Sequence, residues 1–283
     1  MSATPVRRIR AATTLLALLA LSACAADHRP RLQVQRITAD QPSPSVTPSA
    51  TPSTSPSATG KPAFKSLAWY VSQVPAFPAA PPPQPVQPAA NGSAPFWHRV
   101  PTEQKVAFIT IDDGGLARPP EVIDFIREAH IPVTMFLNSP AATEHTDYFR
   151  QIEAAGGVVA NHTITHPSLT GRSYASQKHE ICGAADELET LFGKRPALFR
   201  PPFGDRDSTT LKAAHDCGMK AVFHWTETVH EGKVRYQTPE KVVRPGDVLL
   251  MHFRPALMDD LLAALKAIHR AGLTPAVLED YVG

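Results

Sequence analysis

Three cysteines in 283 residues are too few for a disulfide framework, so the chain must be held together by an ordinary apolar core. Charge of one sign is missing as well: 28 basic against 26 acidic residues leave a formal net charge of +2. There is no basic stripe and no acidic tail, which excludes a nucleic-acid partner and leaves charge silent about any other. No apolar run is long enough to cross a bilayer; the strongest, Leu15–Leu21, falls well short of the roughly 20 residues a spanning helix needs. The 29 prolines are densest before position 96, which leaves about one domain of ordinary sequence after it.

What is present begins with an export signature. Arg7, Arg8 and Arg10 precede the Leu15–Leu21 run, the order of a signal peptide. The run ends in Leu21-Ser22-Ala23-Cys24, which resembles the lipobox of bacterial lipoproteins. That resemblance implies cleavage after residue 23 and lipid on Cys24, hence a protein exported and anchored to the outer face of the cytoplasmic membrane, facing the cell wall. Residues 24–95 are rich in Pro, Ser, Thr and Ala and read as a tether, because such a stretch cannot bury enough apolar surface to offset its ordering entropy. About 70 residues would reach roughly 50 Å as a coil and about 200 Å as polyproline II. An apolar island at Phe64–Val71 interrupts the tether and is expected to pack either on the domain or on a partner.

Residues 96–283 alternate short apolar runs with amphipathic stretches. Runs at 106–111, 133–137, 158–160, 197–199, 221–223, 248–251 and 275–278 read as buried strands. Ile181, Ala184, Ala185, Leu188, Leu191 and Phe192 keep the spacing of a helix face packed on a sheet, as do Leu257, Leu261, Leu262, Leu265 and Ile268. Strands apolar throughout, alternating with helices, mean parallel strands covered by helices: an α/β barrel or a doubly wound sheet.

Polar residues break this pattern only where strands end. Asp112 and Asp113 follow the first run, Asn161 and His162 the third, Arg200 the fourth, Trp225 the fifth and His252 the sixth. In such folds these ends converge on the face where ligands bind. With 12 histidines in the chain, a spacing like that of His162 and His166, read as two imidazoles on one side of a helical turn, carries little alone. Joined to Asp113 it becomes two imidazoles and a carboxylate, a ligand set for a borderline divalent metal with positions left for water and substrate. A second carboxylate beside it has a natural use as a base.

These residues resemble the polysaccharide deacetylases of the NodB-homology group, carbohydrate esterase family 4. Thr110-Ile111-Asp112-Asp113-Gly114 is similar to the family's first motif, His162-Thr163-Ile164-Thr165-His166 to its second, Arg200-Pro201-Pro202-Phe203-Gly204 to its third and Leu250-Met251-His252 to its fifth. The resemblance covers about residues 104–283 and implies a distorted (β/α) barrel. It implies a metal held by Asp113, His162 and His166, usually zinc, with cobalt and manganese as alternatives. It further implies Asp112 as general base, His252 as general acid, Arg200 holding Asp112, and the Phe203 N–H supporting the oxyanion. The fourth motif, an acid and a tryptophan, departs: His224-Trp225-Thr226-Glu227 stands in its place, with Trp225 and Glu227 as the available substitutes.

The expected activity is therefore N-deacetylation of a polysaccharide containing N-acetylglucosamine, peptidoglycan or chitin-like, by a monomer. O-deacetylation of an acetylated polysaccharide such as xylan and a silent wall-glycan-binding domain are the alternatives. In an exported domain Cys182 and Cys217 suggest a disulfide, against two buried free thiols.

Overall fold

A computed structural model describes residues 61–89, 91–113 and 118–283. In chain order it begins with α1 (Leu67–Gln73), β1 (Phe96–Trp97), β2 (Val106–Asp112), α2 (Glu121–Glu128), β3 (Val133–Leu137), α3 (Ser139–Glu144), α4 (Thr146–Ala154) and β4 (Val158–Asn161). There follow α5 (Tyr174–Phe192), β5 (Leu198–Phe199), α6 (Ser208–Asp216), β6 (Ala221–Phe223), β7 (Glu227–His230), β8 (Lys233–Tyr236), β9 (Val248–His252), α7 (Leu257–Arg270) and β10 (Thr274–Ala276). Cys24 and the signal segment lie outside the described residues.

The ten strands among the described residues join one sheet in the order β1-β6-β5-β4-β3-β2-β9-β7-β8, with β10 also paired to β2. Every pairing is parallel except the β7–β8 hairpin. This curled, mostly parallel sheet with helices outside is the distorted (β/α) barrel expected from the resemblance. β2 is buried at all seven positions because both of its faces are covered. Phe108, Phe136, Phe223 and Tyr281 fill the barrel interior. On the outside, α2, α4 and α7 lay Phe125, Ile126, Phe149, Leu261, Leu265 and Ile268 against the sheet. Each large apolar side chain removed from water in this way contributes about 1.5–3 kcal/mol.

Three expectations need correction. The domain begins earlier than residue 96, since the stretch from residue 61 packs on the barrel. Tyr70 of α1 is buried against Phe125 and its hydroxyl donates to Asp259, which also pairs with Lys65. Val86 bridges to Val282, and the Tyr281 hydroxyl donates to the Pro81 carbonyl. Proline-rich composition signals a lack of internal ladder bonds, yet such a strand can still lie along a finished domain and borrow partners from it. The last strand is Thr274–Ala276 rather than 275–278. Last, His162 and His166 sit on a loop after β4, not on a helical turn.

The Cys182–Cys217 disulfide ties α5 to the residue that caps α6.

Candidate metal and catalytic site

Parallel register sets the site. Asp112 closes β2 directly opposite His252 at the end of β9 and Phe136 of β3. Asn161 ends β4 opposite Leu137, and the N–H of the next residue, His162, donates to the Leu137 carbonyl at 3.1 Å. Arg200 follows β5, its N–H donating to the Asn161 carbonyl at 2.9 Å. Strand ends separated by up to 140 residues thereby open onto one face.

Asp113, His162 and His166 each offer a ligand atom within 4.8 Å of the other two. Oδ1 of Asp113 lies 3.1 Å from His166 Nε2 and 3.6 Å from His162 Nε2. The Nδ1 of buried His162 is 2.7 Å from the Arg200 carbonyl, a contact that requires the proton on Nδ1 and leaves the Nε2 lone pair facing Asp113. That carbonyl-to-imidazole arrangement is how metal-binding histidines are commonly oriented, so the donor set and its support both fit a borderline divalent cation such as zinc. Burial pushes the His162 imidazole below its ordinary value despite the nearby Asp112 and Asp113, favouring the neutral form that binds metal. His166 is raised, chiefly by its hydrogen bond to Asp113. Burial acts to raise Asp113, but the hydrogen bond from His166 and the charges of the three histidines hold it below the usual carboxylate value.

The loop carrying the histidines is pinned at both ends. The Asn161 side chain donates to the Ile181 carbonyl of α5 and accepts from the Thr163 N–H. Glu180 of α5 accepts from both the N–H and the hydroxyl of Thr165, at 2.9 and 2.7 Å. Asp113, Thr163, His166 and Phe203, with φ of 72°, 71°, 58° and 62°, are four of the eight non-glycine residues in the left-handed region among the described residues. Each such conformation costs about 1–3 kcal/mol, most for a β-branched threonine, and persists only where surrounding bonds leave no alternative.

Asp112 is held from behind. Arg200, with no exposed surface, donates from Nη1 to Asp112 Oδ1 at 2.6 Å and to the Thr110 hydroxyl at 2.9 Å, and from Nη2 to the His224 carbonyl at 3.0 Å. Its guanidinium lies 4.2 Å over the Phe136 ring and 5.9 Å over the Trp225 ring. The second oxygen of Asp112 faces His162 at 3.8 Å, on the side of the metal ligands. His252 lies opposite, its Nε2 3.8 Å from Asp113 Oδ2. Burial lowers His252, Asp112 and Asp113 raise it, and Arg254 and Arg200 lower it. Phe203 stands exposed at the groove edge with its ring 4.8 Å from that of His166, and its N–H donates to no backbone acceptor among the described residues.

Glu227 does not take the place of the missing fourth-motif acid. It is opposite Leu249 in the β7–β9 pairing, three residues short of His252, and its buried carboxyl meets Thr226 and Asp247 instead. A side chain's direction along a strand is decided by register, which the residue types alone do not carry. Thr110, whose hydroxyl accepts from Arg200 and donates to the Leu249 carbonyl, and Gly204, whose hydrogen faces the His224 ring, stand in the first and third motifs, but neither had a role legible from sequence.

Residues 99–222 match the family model described as polysaccharide deacetylase, a span containing Asp112, Asp113, His162, His166 and Arg200. An uncharacterized protein of Streptomyces coelicolor is 36% identical over 205 residues, 70% of this chain and 82% of its own. The peptidoglycan-N-acetylglucosamine deacetylase of Bacillus cereus is 29% identical over 152 residues, 52% of this chain and 55% of that one. Among solved structures, a carbohydrate esterase family 4 pseudoenzyme from Bacillus anthracis superposes with a TM-score of 0.57 at 19% identity, covering 68% of this chain and 70% of the other. Motifs, architecture and sequence similarity agree, and the chain belongs to the polysaccharide deacetylase family.

Proposed function

We propose that this chain is a metal-dependent N-deacetylase acting on an N-acetylglucosamine-containing wall polysaccharide such as peptidoglycan. The observation that carries the reading is the separation of duties between two adjacent carboxylates. Asp113 faces both histidines at 3.1–3.6 Å, whereas Asp112 is fixed by Arg200 at 2.6 Å. Relatives named as peptidoglycan deacetylases support the substrate class.

Asp113, His162 and His166 would hold the metal, with zinc preferred and cobalt or manganese as alternatives. When bound, it would polarise the acetyl carbonyl and acidify a water molecule. Asp112 accepts the proton of the attacking water, and the Arg200 hydrogen bond at 2.6 Å keeps its carboxylate aimed. The Phe203 N–H, which donates to no backbone acceptor among the described residues, is available to the oxyanion that develops on the acetyl carbonyl oxygen. His252, across the cleft, delivers a proton to the departing nitrogen, without which an amine leaves poorly. Lipid on Cys24, and a location on the outer face of the cytoplasmic membrane, complete the proposal and rest on the N-terminal sequence.

Metal content and acetate release, measured together on two variants, test it. Asp113→Asn should lose both, with partial recovery in excess zinc. Asp112→Asn should retain the metal and lose roughly two to four orders of magnitude in turnover. An Asp112→Asn protein that works normally, or an Asp113→Asn protein that binds zinc like the wild type, rejects the assignment.

A further inference from the structure

The catalytic face has a contributor that short length hid in the sequence. β1 runs parallel to β6, with Phe96 opposite Val222 and Trp97 opposite Phe223. The residue that leaves β1, His98, is therefore level with the residue that leaves β6, His224, and the His224 N–H donates to the Trp97 carbonyl at 2.8 Å. Their ring centroids are 4.5 Å apart. His224 stacks flat on Trp225 at 3.8 Å, and its other neighbour is Gly204, where a Cβ would lie 2.5 Å from the imidazole. One residue before Gly204, Phe203 touches His166. The two histidines thus adjoin the metal-ligand loop through a single turn.

A free cation completes this margin. The guanidinium of Arg206 lies 4.1 Å over the Phe96 ring, and the same ring meets His98 edge-on at 5.2 Å and His224 at 5.9 Å. The carboxylates on either side of Arg206 are engaged elsewhere. Asp205 accepts from the hydroxyls of Ser168 and Thr170, while Asp207 accepts from the N–H groups of Gly171 and Thr210 and from Gln177. Arg99, next to His98 in sequence, is committed to Asp247. Exposed Arg206 therefore has donors that pair with no side chain among the described residues, on a guanidinium positioned by an aromatic face.

We propose that Phe96, His98, His224 and Arg206 form a subsite for a carboxylate carried by the sugar unit next to the acetamido group undergoing hydrolysis. The inference rests on the deacetylase reading and narrows its substrate to an acidic glycan, in which acetamido sugars neighbour carboxylate-bearing ones, in preference to a neutral polymer of the acetamido sugar alone. Arg206 supplies a planar fork that matches a carboxylate in geometry and charge. The exposed imidazole of His98 supplies hydrogen bonds to ring hydroxyls beside it, while His224, whose Nδ1 meets the Trp225 carbonyl and whose other side packs on Gly204, forms the wall that positions His98.

The test uses the metal-loaded protein and one wall-derived oligosaccharide in two forms, with its carboxylates free and with them amidated. For the wild type, kcat/KM should favour the free acid, and Arg206→Gln should reduce that preference about 10- to 100-fold, the scale of one charge-assisted hydrogen bond, mainly through KM. His98→Ala should reduce it less, and Arg206→Lys should restore part of it. An unchanged ratio in Arg206→Gln, or equal losses on both forms, overturns the subsite. If the wild type releases no acetate from either form, the deacetylase reading fails separately. Equilibrium binding of the two forms to wild type and Arg206→Gln then decides the subsite: a selective loss for the free acid supports it, and equal binding overturns it.

Discussion

Glu227→Gln should stabilise this protein, by an amount that grows with pH. Glu227 and Asp247 are each about 1% exposed and face one another beneath the catalytic layer. Asp247 accepts from Arg99 Nε at 2.9 Å and from the Arg244 N–H at 2.7 Å. Glu227 accepts from the Thr226 hydroxyl at 2.6 Å and otherwise meets the Asp247 carboxyl. Burial first, and then the neighbouring Asp247 charge, push the Glu227 carboxyl up from 4.5 to about 8. Because the folded value lies above the unfolded one, the folded chain holds a proton that the unfolded chain has released between these limits. The associated stability is complete below pH 4.5 and is lost as pH rises toward 8, at up to about 1.4 kcal/mol per pH unit. Glutamine keeps the shape and the neutral form at every pH. Urea denaturation of both proteins at pH 5.5 and 7.5 should show the variant gaining roughly 2–3 kcal/mol on the wild type between the two, with acetate release at the wild-type level. Parallel stability profiles would show that Glu227 is ionised in the folded protein and that the reasoning from burial is wrong. A drop in turnover with a shifted basic limb would instead return Glu227 to the support of His252.

Gly204→Ala and Gly193→Ala separate backbone strain from close approach. Both glycines have φ near 75°, but a Cβ meets nothing within 4 Å at Gly193 and meets the His224 ring at 2.5 Å at Gly204. Gly193→Ala should cost about 1 kcal/mol and leave acetate release intact, whereas Gly204→Ala should also displace Phe203 and His224 and lower turnover; equal behaviour of the two would refute the close contact. Replacing both Cys182 and Cys217 by serine opens a loop of 35 residues and should lower stability by up to about 4 kcal/mol in urea, while a reductant-insensitive wild type would argue against the crosslink. Cys24→Ala should release the protein from membranes, and equal membrane recovery of variant and wild type would remove the anchor.

Legibility in the sequence followed burial. β2, β3 and β6 lie between covered faces, so their residues are apolar throughout, and their positions could be read almost to the residue. The helices α5 and α7 were legible for the related reason that only one stripe of each is buried. The hairpin strands β7 and β8 are short, and β8 at the sheet edge reads Lys233-Val234-Arg235-Tyr236, a charged alternation that resembles loop as much as strand. β1 has two residues, and α1 sits in proline-rich surroundings where composition outweighs a single apolar face. The metal-ligand candidates were legible as residue types at strand ends. The conformation that holds two of them was not, because a four-residue spacing is the same in a helix and in a pinned loop, and only coordinates reveal φ of 71° at Thr163 and 58° at His166.

That difference bears on how activity can be inferred in this family. A pseudoenzyme shares the fold with a TM-score of 0.57, so the curled sheet by itself says nothing about turnover. What separates a working site from a silent one must lie in groups that the fold does not need. Arg200 is such a group: a guanidinium with no exposed surface, whose Nε has no partner among the described residues, is costly to bury, and an apolar side chain of similar length would serve packing better. Its return comes from Asp112, which it holds in place at the end of β2 on the side facing His162. The left-handed backbone at Asp113, Thr163, His166 and Phe203 adds further cost at the same place, and Asn161 and Glu180 are spent on enforcing it. Destabilising choices gathered at one strand-end face, each tied down by a dedicated partner, are what a preorganised site requires and what a barrel kept only for its shape would lose.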